Sequence, residues 1–168
     1  MSKEPRYPRR RAVRLKHYDY SSPGIYFVTI CTQHRRLYFN DPWLRDLAAQ
    51  TWQAIPDHVP GVALDEWVVM PNHIHGLLVF QPLDGPAQQP ARSRSLPIII
   101  RTYKAAVTTT CRKMQRVFAW QADYYEHVVR NEKELDNTRR YIRDNPLKWV
   151  LDGENHVNTK GSGEAFEL

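Results

Sequence analysis

The chain has little sulfur chemistry. It carries two cysteines in 168 residues, Cys31 and Cys111, and neither has another cysteine at metal-binding or redox spacing. That argues against a disulfide framework and a cysteine zinc cluster, and both thiols read as small core residues in a reducing compartment. No apolar run approaches the roughly 20 residues that span a bilayer. The charged N-terminus is not followed by an apolar stretch, so neither a membrane span nor a secretory signal is expected, and the location expected is cytoplasmic. Wholesale disorder is also disfavoured, because 42% of residues are hydrophobic and 11% aromatic. The length suits one domain with a real core.

What is present in excess is positive charge, +6 net, and it is concentrated. Lys3, Arg6, Arg9, Arg10, Arg11, Arg14 and Lys16 crowd the N-terminus. Arg92, Arg94, Arg101, Lys104, Arg112, Lys113 and Arg116 form a second block. A solvated tail and a solvated helix face account for this as well as a polyanionic partner does. Tyr7, Tyr18 and Tyr20 beside the first block favour nucleic acid, since rings stack on unpaired bases while cations hold phosphates.

Residues 1–17 are expected to be a basic arm, 18–151 the folded domain and 152–168 a loosely ordered tail. Ile25 to Thr32 is β-branched and aromatic, which predicts a strand. Leu44, Leu47, Ala48, Thr51, Trp52 and Ile55 recur at helical spacing after Asn40, Asp41 and Pro42, so a capped helix is expected over about 42–55. Two further strands, 62–70 and 74–80, flank Pro71-Asn72 and should pair antiparallel. The proline-rich segment 82–97 is expected to be a surface loop, and 97–115 a helix with a basic side. Residues 117–121 and 124–129 predict one interrupted strand or two short ones. Asn131 followed by Glu134 predicts a helix start, and Pro146 a stop after about 144. Strands mostly antiparallel, with helices packed mainly on one face, give an α+β sandwich.

The densest chemical signal is Trp67 to Phe80, with His73-Ile74-His75 at its centre. Residues two apart on a strand share a face, roughly 7 Å apart along the backbone, so both imidazoles should point the same way. Paired neutral imidazoles suit a metal. A His-x-His pair alone is more often two hydrogen-bonded histidines at a sheet margin. Downstream, Tyr141 and Asn145 lie four apart, about 6 Å along one helix face. Asn145 offers an amide oxygen, a hard ligand suited to Mg²⁺ or Mn²⁺, and Tyr141 a phenolic oxygen. Taken singly, these two residues suit a surface tyrosine and a helix C-cap. His127 is a rival candidate, better suited to core hydrogen bonding or a DNA contact than to metal.

The phrases Val69-Met70-Pro71-Asn72-His73-Ile74-His75 and Tyr141-Ile142-Arg143-Asp144-Asn145-Pro146 resemble the REP-associated tyrosine transposases, relatives of insertion-sequence transposases with a single catalytic tyrosine. Tyr26 to Thr32 and Trp120 to Arg130 match further phrases in the same order, so the resemblance spans about 6–150. It implies a ferredoxin-like antiparallel sheet. It implies His73, His75 and Asn145 as ligands of a divalent metal, Mg²⁺ or Mn²⁺, with Tyr141 as the nucleophile. The implied substrate is single-stranded DNA beside a hairpin, a repetitive extragenic palindrome, joined through a 5′-phosphotyrosine; location near the nucleoid would follow. Arg9, Arg10, Arg11, Arg14, Arg101 and Lys104 are the expected DNA contacts. A monomer acting in cis and a homodimer exchanging the tyrosine helix both fit. A non-catalytic hairpin binder of DNA or RNA is the main alternative, and a structural zinc protein a weaker one.

Overall fold

The computed structural model describes residues 18–82 and 94–151. Four strands, β1 (Gly24–Cys31), β2 (Val62–Met70), β3 (His73–Phe80) and β4 (Tyr125–Val129), form one antiparallel sheet in the order β2-β3-β1-β4. Four helices accompany them: α1 (Pro42–Gln53), the short α2 (Ile55–His58), α3 (Leu96–Lys113) and α4 (Glu132–Leu151). With α1 between β1 and β2 and α3 between β3 and β4, this is the ferredoxin-like α+β arrangement.

Strand alternation divides the sheet into two unlike faces. Tyr26, Val28 and Ile30 of β1, with Ile74, Leu78 and Phe80 of β3, enter the large core with Ala48 and Trp52 of α1 and Ile100, Tyr103 and Val107 of α3. The alternate residues face the other way. There Leu77 and Val129 pack with Leu135 and Ile142 of α4, flanked by Ile25, Phe27 and Val68. α1 and α3 therefore cover one face, and α4 lies alone over the other. His73 and His75 pair with Cys31 and Thr29 of β1, in register with Leu77, so they belong to the α4 face.

The local causes are mostly those in the sequence. Asp41 Oδ1 accepts the amide of Trp43 at 2.9 Å and Pro42 takes the first helical position, which starts α1. Asn131 Oδ1 accepts the amide of Glu134 at 2.9 Å and starts α4. The Glu134 carboxylate accepts the Arg130 amide at 2.8 Å, one residue earlier than a reciprocal capping box requires.

Gly76 is demanded by a close approach: a Cβ there would lie 2.3 Å from Cζ2 of the fully buried Trp52. Gly76→Ala should cost about 3 kcal/mol by overpacking and lower the melting temperature by roughly 6–12 °C in a domain of this size. A thermal melt checks it.

Three expectations are corrected. α1 ends at Gln53, and Ile55-Pro56 open α2 instead. Residues 117–121 form no strand, Trp120 making a single bridge to Thr32. Polar groups in and just after this segment are shared between α3 and the end of β1: Lys104 Nζ donates to the carbonyls of Gln121 (2.6 Å) and Ala122 (3.0 Å), Trp120 Nε1 donates to the Lys104 carbonyl at 3.2 Å, and the Gln121 amide donates to the Cys31 carbonyl at 2.9 Å. α4 also runs through Pro146 to Leu151. The proline removes one backbone donor, but Trp149 in the continuing turn lies with its ring 6.1 Å from that of His73. Tertiary contact overrides the local stop signal. No helix among the described residues is long and apolar enough to cross a membrane.

Candidate active site

His73 opens β3 and His75 follows two residues later, both buried at about 5% exposure. Their Nε2 atoms are 3.0 Å apart. Each Nδ1 is held from behind. His73 Nδ1 lies 2.6 Å from Asn72 Oδ1, and the Asn72 Nδ2 donates to the Arg35 carbonyl at 3.4 Å. That orients the amide oxygen toward His73, so His73 carries its proton on Nδ1 and leaves a lone pair on Nε2. His75 Nδ1 is 2.8 Å from Thr29 Oγ1, a hydroxyl that either donates or accepts. With Thr29 accepting, both Nε2 lone pairs face the same small space. With Thr29 donating, His75 Nε2–H bonds to His73. A turn of the Thr29 hydroxyl, together with transfer of the His75 proton between its two ring nitrogens, thus switches the pair between a closed hydrogen bond and two converging lone pairs.

Burial holds both imidazoles neutral, His73 with a pKa of about 2 and His75 with one of about 4. For His73, the charge on His75 and then that of Arg35 add to the effect; for His75, Arg35 adds to it. Neutral imidazole is the form that ligates metal. An octahedral cation with bonds of about 2.1 Å needs adjacent donors about 3.0 Å apart, which matches the observed separation. The donor set also fits: imidazole and amide oxygen suit Mn²⁺, and Mg²⁺ less closely. Among the described residues no cluster of three His, Cys, Asp or Glu side chains is available for a metal, so a third protein donor here would be an amide such as Asn145.

The strained approach to the site is built by the loop after β1. His34 and Arg35 both hold φ near 53°, a region that non-glycine residues seldom occupy. This conformation presents the Arg35 carbonyl to Asn72 and sets the Arg35 charge close enough to affect both imidazoles.

α4 supplies the remaining groups from one stripe. Tyr141, Asn145 and Trp149 recur at four-residue intervals. The Tyr141 hydroxyl is 3.4 Å from His75 Nε2, with ring centroids 5.2 Å apart, and Trp149 lies against His73. Asn145 sits between them and is buried, while its neighbours Asp144 and Pro146 are exposed. Phe27 stacks on the His75 ring at 5.5 Å and meets Tyr141 edge-on at 6.2 Å.

Two ion pairs fasten α4 to β2. Arg139 makes a two-bond contact with Asp65 (3.0 and 2.7 Å), and Arg143 lies 3.5 Å from Glu66. The hydrogen bond from Arg139 holds the Asp65 carboxyl below its ordinary value of 3.8. A depressed carboxylate stabilises the fold above about pH 3.8, and that contribution is lost as pH falls through the lowered folded value. Asp65→Asn should therefore lower the melting temperature by a few degrees at pH 7, and the gap to the native chain should narrow as pH falls below about 3.8. Paired melts at pH 7 and along a descending series below pH 3.8 check it.

Other sequence candidates lie elsewhere. His127 Nε2 contacts Glu134 Oε1 at 2.5 Å, joining β4 to the first turn of α4. Arg101 is exposed on α3, on the far side of the sheet from the histidines. Lys104, on the same helix, is occupied with the Gln121 and Ala122 carbonyls, and burial lowers its pKa. Arg94 donates to the Gln81 carbonyl, and Arg116 pairs with Asp41 and lies over the Trp43 ring. Arg94, Lys104 and Arg116 of the second basic block thus serve the fold, while Arg101, Arg112 and Lys113 are exposed. Arg9, Arg10, Arg11 and Arg14 lie outside the described residues. Thr29, Asn72, Arg35 and Trp149 were not singled out from sequence as parts of the site. Asn72, next to the histidine pair, was the one with a usable signal.

Comparison with known proteins agrees with this architecture. An uncharacterized protein of Haemophilus influenzae is 37% identical over 164 residues, covering 85% of this chain and 91% of that protein. A REP-associated tyrosine transposase solved bound to a REP hairpin superposes with a TM-score of 0.60 at 23% identity, covering 88% of this chain and 74% of the other; at that identity the likeness speaks for the fold. Residues 21–145, which include both histidines, Tyr141 and Asn145, match the family described as "Transposase IS200 like", and the chain belongs to that family.

Proposed function

We propose that this transposase-family chain is a metal-dependent single-strand DNA endonuclease and strand transferase that acts beside DNA hairpins through a 5′-phosphotyrosine. The observation that carries the reading is the Tyr141 hydroxyl 3.4 Å from His75 Nε2, itself 3.0 Å from His73 Nε2. A candidate nucleophile and a two-nitrogen cation platform meet on one face.

His73, His75 and Asn145 would hold Mg²⁺ or Mn²⁺. A divalent cation bound there would neutralise and orient the scissile phosphate. An unaided phenol is a weak nucleophile, so this help matters. Tyr141 attacks phosphorus in line. Its O–P bond forms as the bond to the 3′-oxygen breaks; the phenolic proton passes to solvent and the 3′-oxygen leaves as a hydroxyl. The phosphodiester count is conserved, so a second 3′-OH can reverse the step and join strands. Neutral, buried histidines keep their lone pairs for the cation. Phe27 and Trp149 shield the pair and hold the rings in place.

Hairpin DNA as the partner is supported by family membership and by the hairpin-bound relative. Arg35 beside the histidines and the arm of Arg9, Arg10, Arg11 and Arg14 are the proposed phosphate contacts; Arg101 and Lys104 would meet DNA only where it wraps to the other face. Binding should weaken steeply with salt if the arm neutralises several phosphates. The test is incubation with hairpin-flanked single-stranded oligonucleotides and Mg²⁺ or Mn²⁺, with matched RNA hairpins in competition. A covalent protein–DNA band that needs the metal and is not displaced by RNA supports the reading. Tight hairpin binding without any covalent band would make the chain a binder rather than a nuclease.

A further inference from the structure

A groove of about 580 Å³ opens beside Tyr141, between β1 and the first three turns of α4. Its volume is in the range of small-molecule sites. Its wall includes Phe27, Arg130, Lys133, Asn137, Thr138 and Tyr141. The groove thus begins at the proposed nucleophile and runs toward the N-terminal end of the helix, in the direction opposite to Asn145 and Trp149.

Its chemistry is ordered along its length. The half-buried Phe27 ring, fixed by stacking on His75 and by edge contacts with Tyr125 and Tyr141, offers an aromatic surface next to the phenol. Asn137 stands one turn before Tyr141 and is exposed. Its amide presents a donor and an acceptor side by side. Arg130 and Lys133 at the far end are exposed cations. The one carboxylate in the wall, Glu134, is already engaged by His127 and the Arg130 amide. Aromatic ring, amide and cations in this order match a base, its hydrogen-bonding edge and a following phosphate.

Building on the nuclease reading above, we propose that this groove holds the nucleotide adjoining the scissile phosphate. Its base stacks at Phe27, its edge is read by Asn137, and the next phosphate is held by Arg130 and Lys133. The groove then sets which base adjoins the cut, separately from whatever grips the hairpin.

The test uses the full chain and two readouts. In the first, adduct formation is timed on four hairpin oligonucleotides that differ only in the base beside the cut. The native chain should favour one base by at least about ten-fold, and Asn137→Ala should bring the four rates within about two-fold of one another. Equal rates for the native chain, or an unchanged preference in Asn137→Ala, overturn the proposal. The second readout needs no cleavage: Tyr141→Phe is irradiated with the same oligonucleotide carrying 5-iodouracil at that position. A crosslink to the peptide bearing Phe27 or to that bearing Asn137 supports the groove, and a crosslink confined to α3 overturns it. Absence of adduct with a groove crosslink would remove the nuclease reading and leave the base site standing; adduct without base preference would do the reverse.

Discussion

Tyr141→Phe is expected to bind a hairpin oligonucleotide as the native chain does and to form no covalent adduct with it. The loss should be at least about ten-thousand-fold in rate, the scale seen when a covalent nucleophile is removed. The substitution is structurally mild. Tyr141 is 43% exposed, its packing against Phe27 and His75 is made by ring carbons, and phenylalanine keeps those contacts. Only the hydroxyl at 3.4 Å from His75 is deleted. Stability should change by about 0.5 kcal/mol or less. An unchanged melting temperature with adduct lost would separate chemistry from folding. Adduct persisting in Tyr141→Phe would refute Tyr141 as the nucleophile.

Removal of the histidine pair should have an effect of similar size for a different reason. His73→Ala and His75→Ala are each expected to abolish metal-dependent cleavage while the fold is retained, and chelation should silence the native chain as completely. These substitutions are not structurally silent, because each leaves a partner, the buried Asn72 or the half-buried Thr29, without its hydrogen bond to the imidazole. That costs about 1–3 kcal/mol. A second measurement therefore distinguishes metal loss from destabilisation. Millimolar Mn²⁺ should raise the melting temperature of the native chain, since a ligand of the folded state alone stabilises it. It should leave those of His73→Ala and His75→Ala unmoved. A cation-induced rise that survives both substitutions would place the metal elsewhere.

Much of this was legible in the residues because local and tertiary causes agree. The β-branched run at Ile25 to Thr32, the Asp41-Pro42 start and the Pro71-Asn72 turn each have a short-range cause that the fold leaves intact. The histidine pair was legible because a strand's two-residue period needs no knowledge of the rest of the chain. Pro146 marks where local reasoning stops. It predicts a helix end, yet the turn beyond it persists where Trp149 reaches His73. The backing of the site by Thr29 and by the Arg35 loop was not legible either, since both depend on β1 lying beside β3 in one register. Cations were the least decisive signal. The block holding Lys104, Arg94 and Arg116 suits solvent as well as a polyanion, and carbonyls, an aspartate and the rings of Phe80 and Trp43 engage these three. Charge counted along a sequence does not distinguish a cation used by the fold from one offered to a partner.

In the proposed function a late helical phenol and a paired-imidazole edge act together on DNA. The most direct measurement is mass mapping of the protein–DNA adduct after digestion of both components. The expected product is a nucleotide joined through its 5′-phosphate to the peptide bearing Tyr141, formed only with a divalent cation present. A nucleotide joined to any other side chain, or the same Tyr141 adduct formed in full under chelation, would contradict it.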